Sequence, residues 1–313
     1  MVLAFVFPGQ GSQAVGMGQP LAAAFPVARE VFEEVDEALK QNLFRMMAEG
    51  PETDLILTEN AQPALMAVSL AVLRVLESEG SIDIAGSAAF VAGHSLGEYS
   101  ALTAARSFDI GDAARLLKTR GRAMQEAVPV GLGGMAALIG TDLEGAQALA
   151  DAAAEGEVCS PANDNAPDQV VLSGAAAAID RAVALAPEYG IKRAIPLQVS
   201  APFHCSMMAP AAEVMESALA KVDVAPPLVP LIANVTAIPV EEPGAICRLL
   251  VEQVTGLVRW RESVVAMKDN GVDTLVEIGA GKVLSGLTRR IDRELTAISV
   301  SDPDGVEAFL KTL

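Results

Sequence analysis

The apolar run Ala88 to Ala92 stops at Gly93-His94-Ser95-Leu96-Gly97 and gives way at once to helical sequence. This G-x-S-x-G spacing constrains the fold more than any other feature. A buried strand that turns directly into a helix needs a sharp bend, and small residues on either side of a serine permit it. Strand-turn-helix units of this kind build α/β folds around a mainly parallel sheet covered on both faces. Neighbouring segments agree. Leu3 to Phe7 reads as a second buried strand, ending in Pro8-Gly9-Gln10-Gly11-Ser12-Gln13. Pro26 to Lys40 has helical apolar spacing at Val27, Val31, Val35 and Leu39, and Pro63 to Glu79 reads as a helix with proline near its first turn.

At 313 residues the chain exceeds one ordinary compact domain, and the pattern changes in its middle. Met135 to Ile139 reads as strand, Leu143 to Ala154 as helix, and Val158 as the start of a second strand. Gln169 to Leu172, Ala175 to Ala186 and Lys192 to Leu197 then read as strand, helix and strand. That order is ferredoxin-like. The expected organisation is therefore an α/β-hydrolase-like core over 1–128 and 199–313, interrupted by a ferredoxin-like small domain over 129–198. Ser160 to Asp168, polar and proline-bearing, gives no reading. Beyond Pro202, Leu231 to Asn234 and Thr274 to Ile278 read as strands, with helices around Gly244 to Met267, Val283 to Arg293 and Val306 to Leu313.

Composition narrows the function classes. A formal charge of −18 disfavours nonspecific nucleic-acid or anionic-membrane binding. Cys159, Cys205 and Cys247 are widely spaced, with no CxxC pair or Cys/His cluster, so neither a metal site nor a disulfide framework is expected. No basic n-region or cleavage site precedes the first strand, and apolar stretches such as Leu65 to Leu73 fall short of the roughly 20 residues of a membrane span. A monomeric protein of the reducing cytoplasm, without cofactor, is expected.

Ser95 has two readings. It is either a nucleophile at a strand-to-helix turn, or an N-cap whose capping box is completed by Glu98. A nucleophile needs a base, and the chain has only two histidines, His94 and His204. His94 adjoins Ser95, so in extended chain its side chain faces away. His204, in the patternless segment Val199 to Cys205, is left as the candidate.

Within Asp112 to Ala127, an advance of about 100° per residue puts Arg120 in one arc with Ala113, Leu116, Leu117 and Met124. Arg115, Lys118, Arg122, Gln125 and Glu126 fall opposite. An inward arginine needs an anion. That anion is either a carboxylate of the protein or one on a substrate, for which the guanidinium is a planar bidentate fork. The glycine turn Gly9 to Ala14 loosely matches a dinucleotide fingerprint, but Gly16, Gly18 and Pro20 follow it instead of helix. A turn there presents backbone N–H groups to an oxyanion, or is simply tight. Gly279-Ala280-Gly281-Lys282 lacks the Walker spacing and reads as structural.

Taken together, Phe7 to Gln13, Gly93 to Tyr99, Arg120 to Met124, Ser200 to His204, Val251 to Gln253 and Val258 to Trp260 resemble the bacterial malonyl-CoA:acyl carrier protein transacylases over nearly the whole chain. The resemblance implies a Ser95–His204 dyad, with the histidine oriented by the backbone carbonyl of Gln253 instead of an acidic residue. It implies oxyanion donors at the backbone amides of Gln10 and Leu96. Arg120 would pair with the malonyl carboxylate, and Gln10, Gln62, Met124 and Phe203 would line the substrate site. Many discrete relatives carry a small residue in place of Phe203; related polyketide acyltransferases selective for malonyl units carry Phe there. The implied partners are malonyl-CoA and the phosphopantetheine thiol of holo acyl carrier protein, feeding fatty acid synthesis. Because such carriers are acidic, a local basic patch using Arg259, Arg289 or Arg290 is expected. Competing readings are a serine hydrolase or thioesterase acting on an acyl-CoA, a polyketide-pathway acyltransferase acting in trans, and a noncatalytic carrier-binding module.

Overall fold

In the computed structural model, which describes residues 1–313, the chain forms two sheets. It opens with β1 (Leu3–Phe7) and β2 (Ala88–Gly93), leaves for β3 (Gly133–Ile139), β4 (Cys159–Ala166), β5 (Gln169–Ala175) and β6 (Arg193–Pro196), and returns through β7 (Leu231–Ile232), β8 (Pro239–Val240), β9 (Thr274–Ile278) and β10 (Thr296–Val300). The larger sheet has the order β10-β9-β1-β2-β7-β8 and is parallel except for the β7–β8 pair. The smaller is antiparallel, in the order β4-β5-β3-β6.

Alternation along β1 explains its central place. Leu3, Phe5 and Phe7 pack into the main core, while Ala4 and Val6 pack into a second core on the opposite face with Trp260 and Leu275. All five are buried, so this strand can only lie inside the sheet. The main core is built around the helix Thr58–Gly80, whose 23 residues are apolar enough to cross a membrane but lie mostly inside the fold. That helix begins five residues before the start expected at Pro63. Proline sits within it, where the missing N–H costs one hydrogen bond that the dense packing around it outweighs.

Other differences from the sequence reading bear on the site. The unread stretch Ser160 to Asp168 is largely β4, a strand with Asn163, Asp164 and Asn165 all buried. Its polar side chains hid it, because they are buried by partners distant in sequence rather than by apolar contact. The Val258 N–H donates to Ala162 O and the Asp164 N–H to Val258 O, both at 2.9 Å, so backbone bonds join this strand to the larger unit. The Gly244 to Met267 region is two helices, Pro243–Gln253 and Trp260–Asp269. β10 and the helix Ala209–Leu219 are elements of the larger unit beyond those expected from the sequence.

Candidate active site

The turn after β2 folds around close backbone approaches. A Cβ on Gly93 would lie 1.9 Å from the Gly97 carbonyl, and one on Gly97 would lie 2.2 Å from Phe7 O. Only glycine lets the helix Gly97–Ala104 start against the end of β1. Ser95, between them, has φ 54°, in the left-handed region. This excludes the N-cap reading: the cap position is Leu96, without a side-chain cap bond, and the Glu98 side chain is engaged elsewhere.

Left-handed backbone at Ser95 takes its peptide groups out of the usual helical pattern, and two side chains serve them. The Ser95 N–H donates to Asn234 Oδ1 at 2.8 Å, and Gln253 Nε2 donates to Ser95 O at 2.9 Å. Asn234 Nδ2 in turn donates to Gly93 O at 2.6 Å. Neither Asn234 nor the Gln253 side chain was singled out from sequence. The available signal was a polar residue closing the apolar run Leu231 to Ala233.

The structure brings Ser95 and His204 together, with 2.8 Å between Oγ and Nε2. His204 Nδ1 lies 2.8 Å from the backbone oxygen of Gln253. A carbonyl only accepts, so the proton resides on Nδ1 and the Nε2 lone pair faces the serine hydroxyl. Burial, then the nearby Arg120 charge, pushes the His204 pKa down to about 3, so the ring is a free base at neutral pH. His94 turns away from Ser95 Oγ, bonding through Nε2 to Asn165 Oδ1 of β4 at 2.8 Å beside Trp260.

Arg120 is 1% exposed, and every acceptor it reaches is neutral. Nη1 donates to Gln62 Oε1 at 2.7 Å, and Nη2 donates to Gln253 Oε1 at 2.8 Å and Ser95 Oγ at 3.0 Å. Nε has no partner, and the group lies 5.7 Å from the Tyr99 ring centre. Of the two readings left open from sequence, an ion pair with a carboxylate of the protein is absent. Burial works against the guanidinium charge, with Tyr99 and Glu98 acting in its favour.

A cavity of about 320 Å³ opens onto these groups; Gln10, Gln62, Leu96, Met124 and Phe203 line it together with Ser95, Arg120 and His204. The backbone N–H groups of Gln10 and Leu96 have no acceptor in the protein. A second cavity of about 210 Å³ shares Gln10 and His94 with the first and is bordered by Val283 and Leu287 of the helix that carries Arg289 and Arg290. Arg259 lines a different groove, facing Asp142 and Glu144, and is paired with Glu262 at 3.0 Å. The N–H groups of Leu284 and Ser285, at the start of the helix after Gly279-Ala280-Gly281, are taken by the buried Glu277 carboxylate at 3.0 and 2.7 Å. That turn is structural.

Residues 4–299 match the acyl transferase domain model. The malonyl CoA-acyl carrier protein transacylases of Escherichia coli and Bacillus subtilis are 46% and 45% identical, over 98% and 99% of this chain and 98% and 97% of theirs. An acyl-carrier-protein S-malonyltransferase structure from Bartonella henselae superposes with a TM-score of 0.97 at 54% identity, covering 100% of this chain and 99% of that one. A malonyl-transacylase solved in complex with a type II polyketide acyl-carrier protein gives a TM-score of 0.96 at 42% identity, with both chains fully covered.

Proposed function

The chain belongs to the acyl transferase family, and on that premise we propose that it moves the malonyl group of malonyl-CoA to the thiol of acyl carrier protein through a malonyl-serine intermediate, supplying extender units for fatty acid synthesis. One observation carries the choice of acyl group. Arg120 is a buried guanidinium with only neutral partners, 3.0 Å from the nucleophile, so an acyl chain ending in a carboxylate supplies the anion the fold withholds.

In the first half-reaction His204 Nε2 takes the Ser95 proton while Oγ attacks the thioester carbonyl. The developing oxyanion receives the free N–H groups of Gln10 and Leu96 at the start of a helix whose dipole favours negative charge. The intermediate collapses, CoA leaves, and His204 returns the proton to its sulfur. In the second half-reaction the carrier's phosphopantetheine thiol gives its proton to His204 and attacks the malonyl-serine ester, and as the ester bond breaks His204 returns the proton to Ser95 Oγ. Arg120 holds the malonyl carboxylate through both steps, so binding and orientation come from one contact. Gln62, Met124 and Phe203 bound the acyl pocket. In this reading residues 129–198 form an inserted subdomain closing one side of the cleft, the enzyme acts as a monomer in the cytoplasm, and the carrier approaches over the helix bearing Arg289 and Arg290.

Intact-mass measurement tests the proposal. Malonyl-CoA should add one malonyl group to the protein but not to Ser95→Ala, and holo carrier should discharge it. Release of free malonate independent of carrier would identify a hydrolase instead, and no adduct at all would leave only a binding module.

A further inference from the structure

The mechanism leaves one buried carboxyl in the site without a task. Glu98, in the first turn of the helix Gly97–Ala104, is 1% exposed. Its Oε2 accepts from Gln253 Nε2 at 2.6 Å and from the Asn234 N–H at 3.3 Å. Those donors are neutral, and one of them, Gln253, reaches the other groups of the site. The Gln253 side chain donates to Ser95 O and accepts from Arg120 Nη2, and its backbone oxygen accepts from His204 Nδ1.

A carboxamide has two orientations that differ by exchange of oxygen and nitrogen. Flipped, Gln253 would turn its NH2 toward a guanidinium that only donates, and its oxygen toward Ser95 O, which only accepts. Arg120 at one end and Ser95 O at the other therefore admit one orientation, and Glu98 Oε2 accepts from the amide in it.

We propose that Glu98 is a positioning residue for acyl selection: through the Gln253 amide it sets Arg120 and His204 in one arrangement, and its own ionisation governs how much of the Arg120 charge is free to meet a substrate carboxylate. The inference rests on the malonyl reading above. Burial pushes the Glu98 carboxyl up to about 8, against the opposing pull of Gln253, Asn234 and Arg120. Below that pH it is uncharged. His204 is neutral from the facing loop, His94 is held below its usual range by burial, and the Tyr99 phenol is pushed up by burial and stays protonated. Gln62, Gln253 and Asn234 carry no charge. Arg120 is then the one formal charge in this cluster, and above pH 8 Glu98 becomes its internal counter-ion.

The test is the acyl-serine-forming half-reaction with malonyl-CoA and acetyl-CoA between pH 6.5 and 9.5, on the parent, Glu98→Gln and Glu98→Ala. In the parent the malonyl-CoA KM should rise on the order of tenfold as Glu98 ionises, with acetyl-CoA KM flat. Glu98→Gln keeps an acceptor that cannot ionise, so its malonyl-CoA KM should not change with pH. Glu98→Ala should lower kcat for both donors and raise the malonyl-CoA KM. If it fails to fold, the parent and Glu98→Gln profiles still decide. A malonyl-CoA KM that climbs equally in Glu98→Gln, or climbs together with the acetyl-CoA KM in the parent, would overturn the inference while malonyl-serine still forms. Absence of malonyl-serine in the parent would overturn the underlying reading as well.

Discussion

Ser95 and His204, 109 residues apart, meet at 2.8 Å with both backbones in the left-handed region, at φ 54° and 59°. Neither is glycine, and each such residue costs on the order of 1–2 kcal/mol. The pair is held there by bonds to its backbone and ring. The elbow depends on Asn234, which accepts from the Ser95 N–H and donates to Gly93 O.

Asn234→Ala should therefore leave two backbone groups unpaired in the turn and lower stability by about 2–4 kcal/mol in urea unfolding. Malonyl-serine formation should slow as the turn relaxes. An unchanged unfolding midpoint would show that the turn holds itself.

Arg120→Ala should reduce kcat/KM for malonyl-CoA on the order of 100- to 1000-fold and for acetyl-CoA less than about tenfold, since only the first donor loses an ion pair. Arg120→Lys should recover little, because a point charge cannot serve Gln62, Gln253 and a carboxylate at once. Equal losses with the two donors would refute the selection role.

Burial, then the Arg120 charge, makes the folded protein resist protonation at His204. Its proton affinity is depressed in the fold, to about 3, and rises to about 6.5 on unfolding, so the unfolded chain binds the proton first. The stability contributed by the neutral ring is present above pH 6.5 and is lost as pH falls toward 3. Urea midpoints measured from pH 7 to 4 should decline, and His204→Asn should flatten part of that decline. Formation of malonyl-serine should likewise show no inflection near pH 6.5.

Gly121, beside Arg120, lies where the helices Thr58–Gly80 and Ile110–Ala127 cross. A Cβ there would come within 2.5 Å of Glu59 Cα and 2.6 Å of Thr58 O. Gly121→Ala should force the helices apart, cost about 1–3 kcal/mol, and separate Arg120 from Gln62. The expected kinetic signature is a larger loss for malonyl-CoA than for acetyl-CoA.

Arg289 is exposed without a carboxylate partner, while Arg290 is paired with Asp168 at 2.6 Å. Reversing both to Glu should raise the KM for the carrier several-fold, with that for malonyl-CoA unchanged, and the effect should shrink with added salt. A carrier KM insensitive to the reversal would place docking elsewhere.

The order of elements around the nucleophile could be read locally, because β1 and β2 are buried apolar runs that stop at Pro8-Gly9 and at Gly93, and the helices Pro26–Leu39 and Ile110–Ala127 carry helical apolar spacing. So could the direction of Arg120, which follows from helical geometry alone: eighteen residues of Ile110–Ala127 fix which side faces inward. Where a segment's burial is polar, that signal vanishes. β4 gave no reading because Asn163, Asp164 and Asn165 are satisfied by residues such as His94 and Arg261, distant in the chain.

What Arg120 would find inside the fold was open from sequence, and tertiary structure decided it. Its partners Gln62 and Gln253 lie 58 and 133 positions away, and Glu98 reaches Gln253 across 155. Such contacts depend on strand register and on the close helix crossing at Gly121, which no local pattern carries. The sequence alone determined that a nucleophilic serine turn and an inward cation belong to one α/β framework. Only the folded chain decided that the cation is left without a counter-ion, because the nearest buried carboxyl is turned to an amide rather than to the guanidinium.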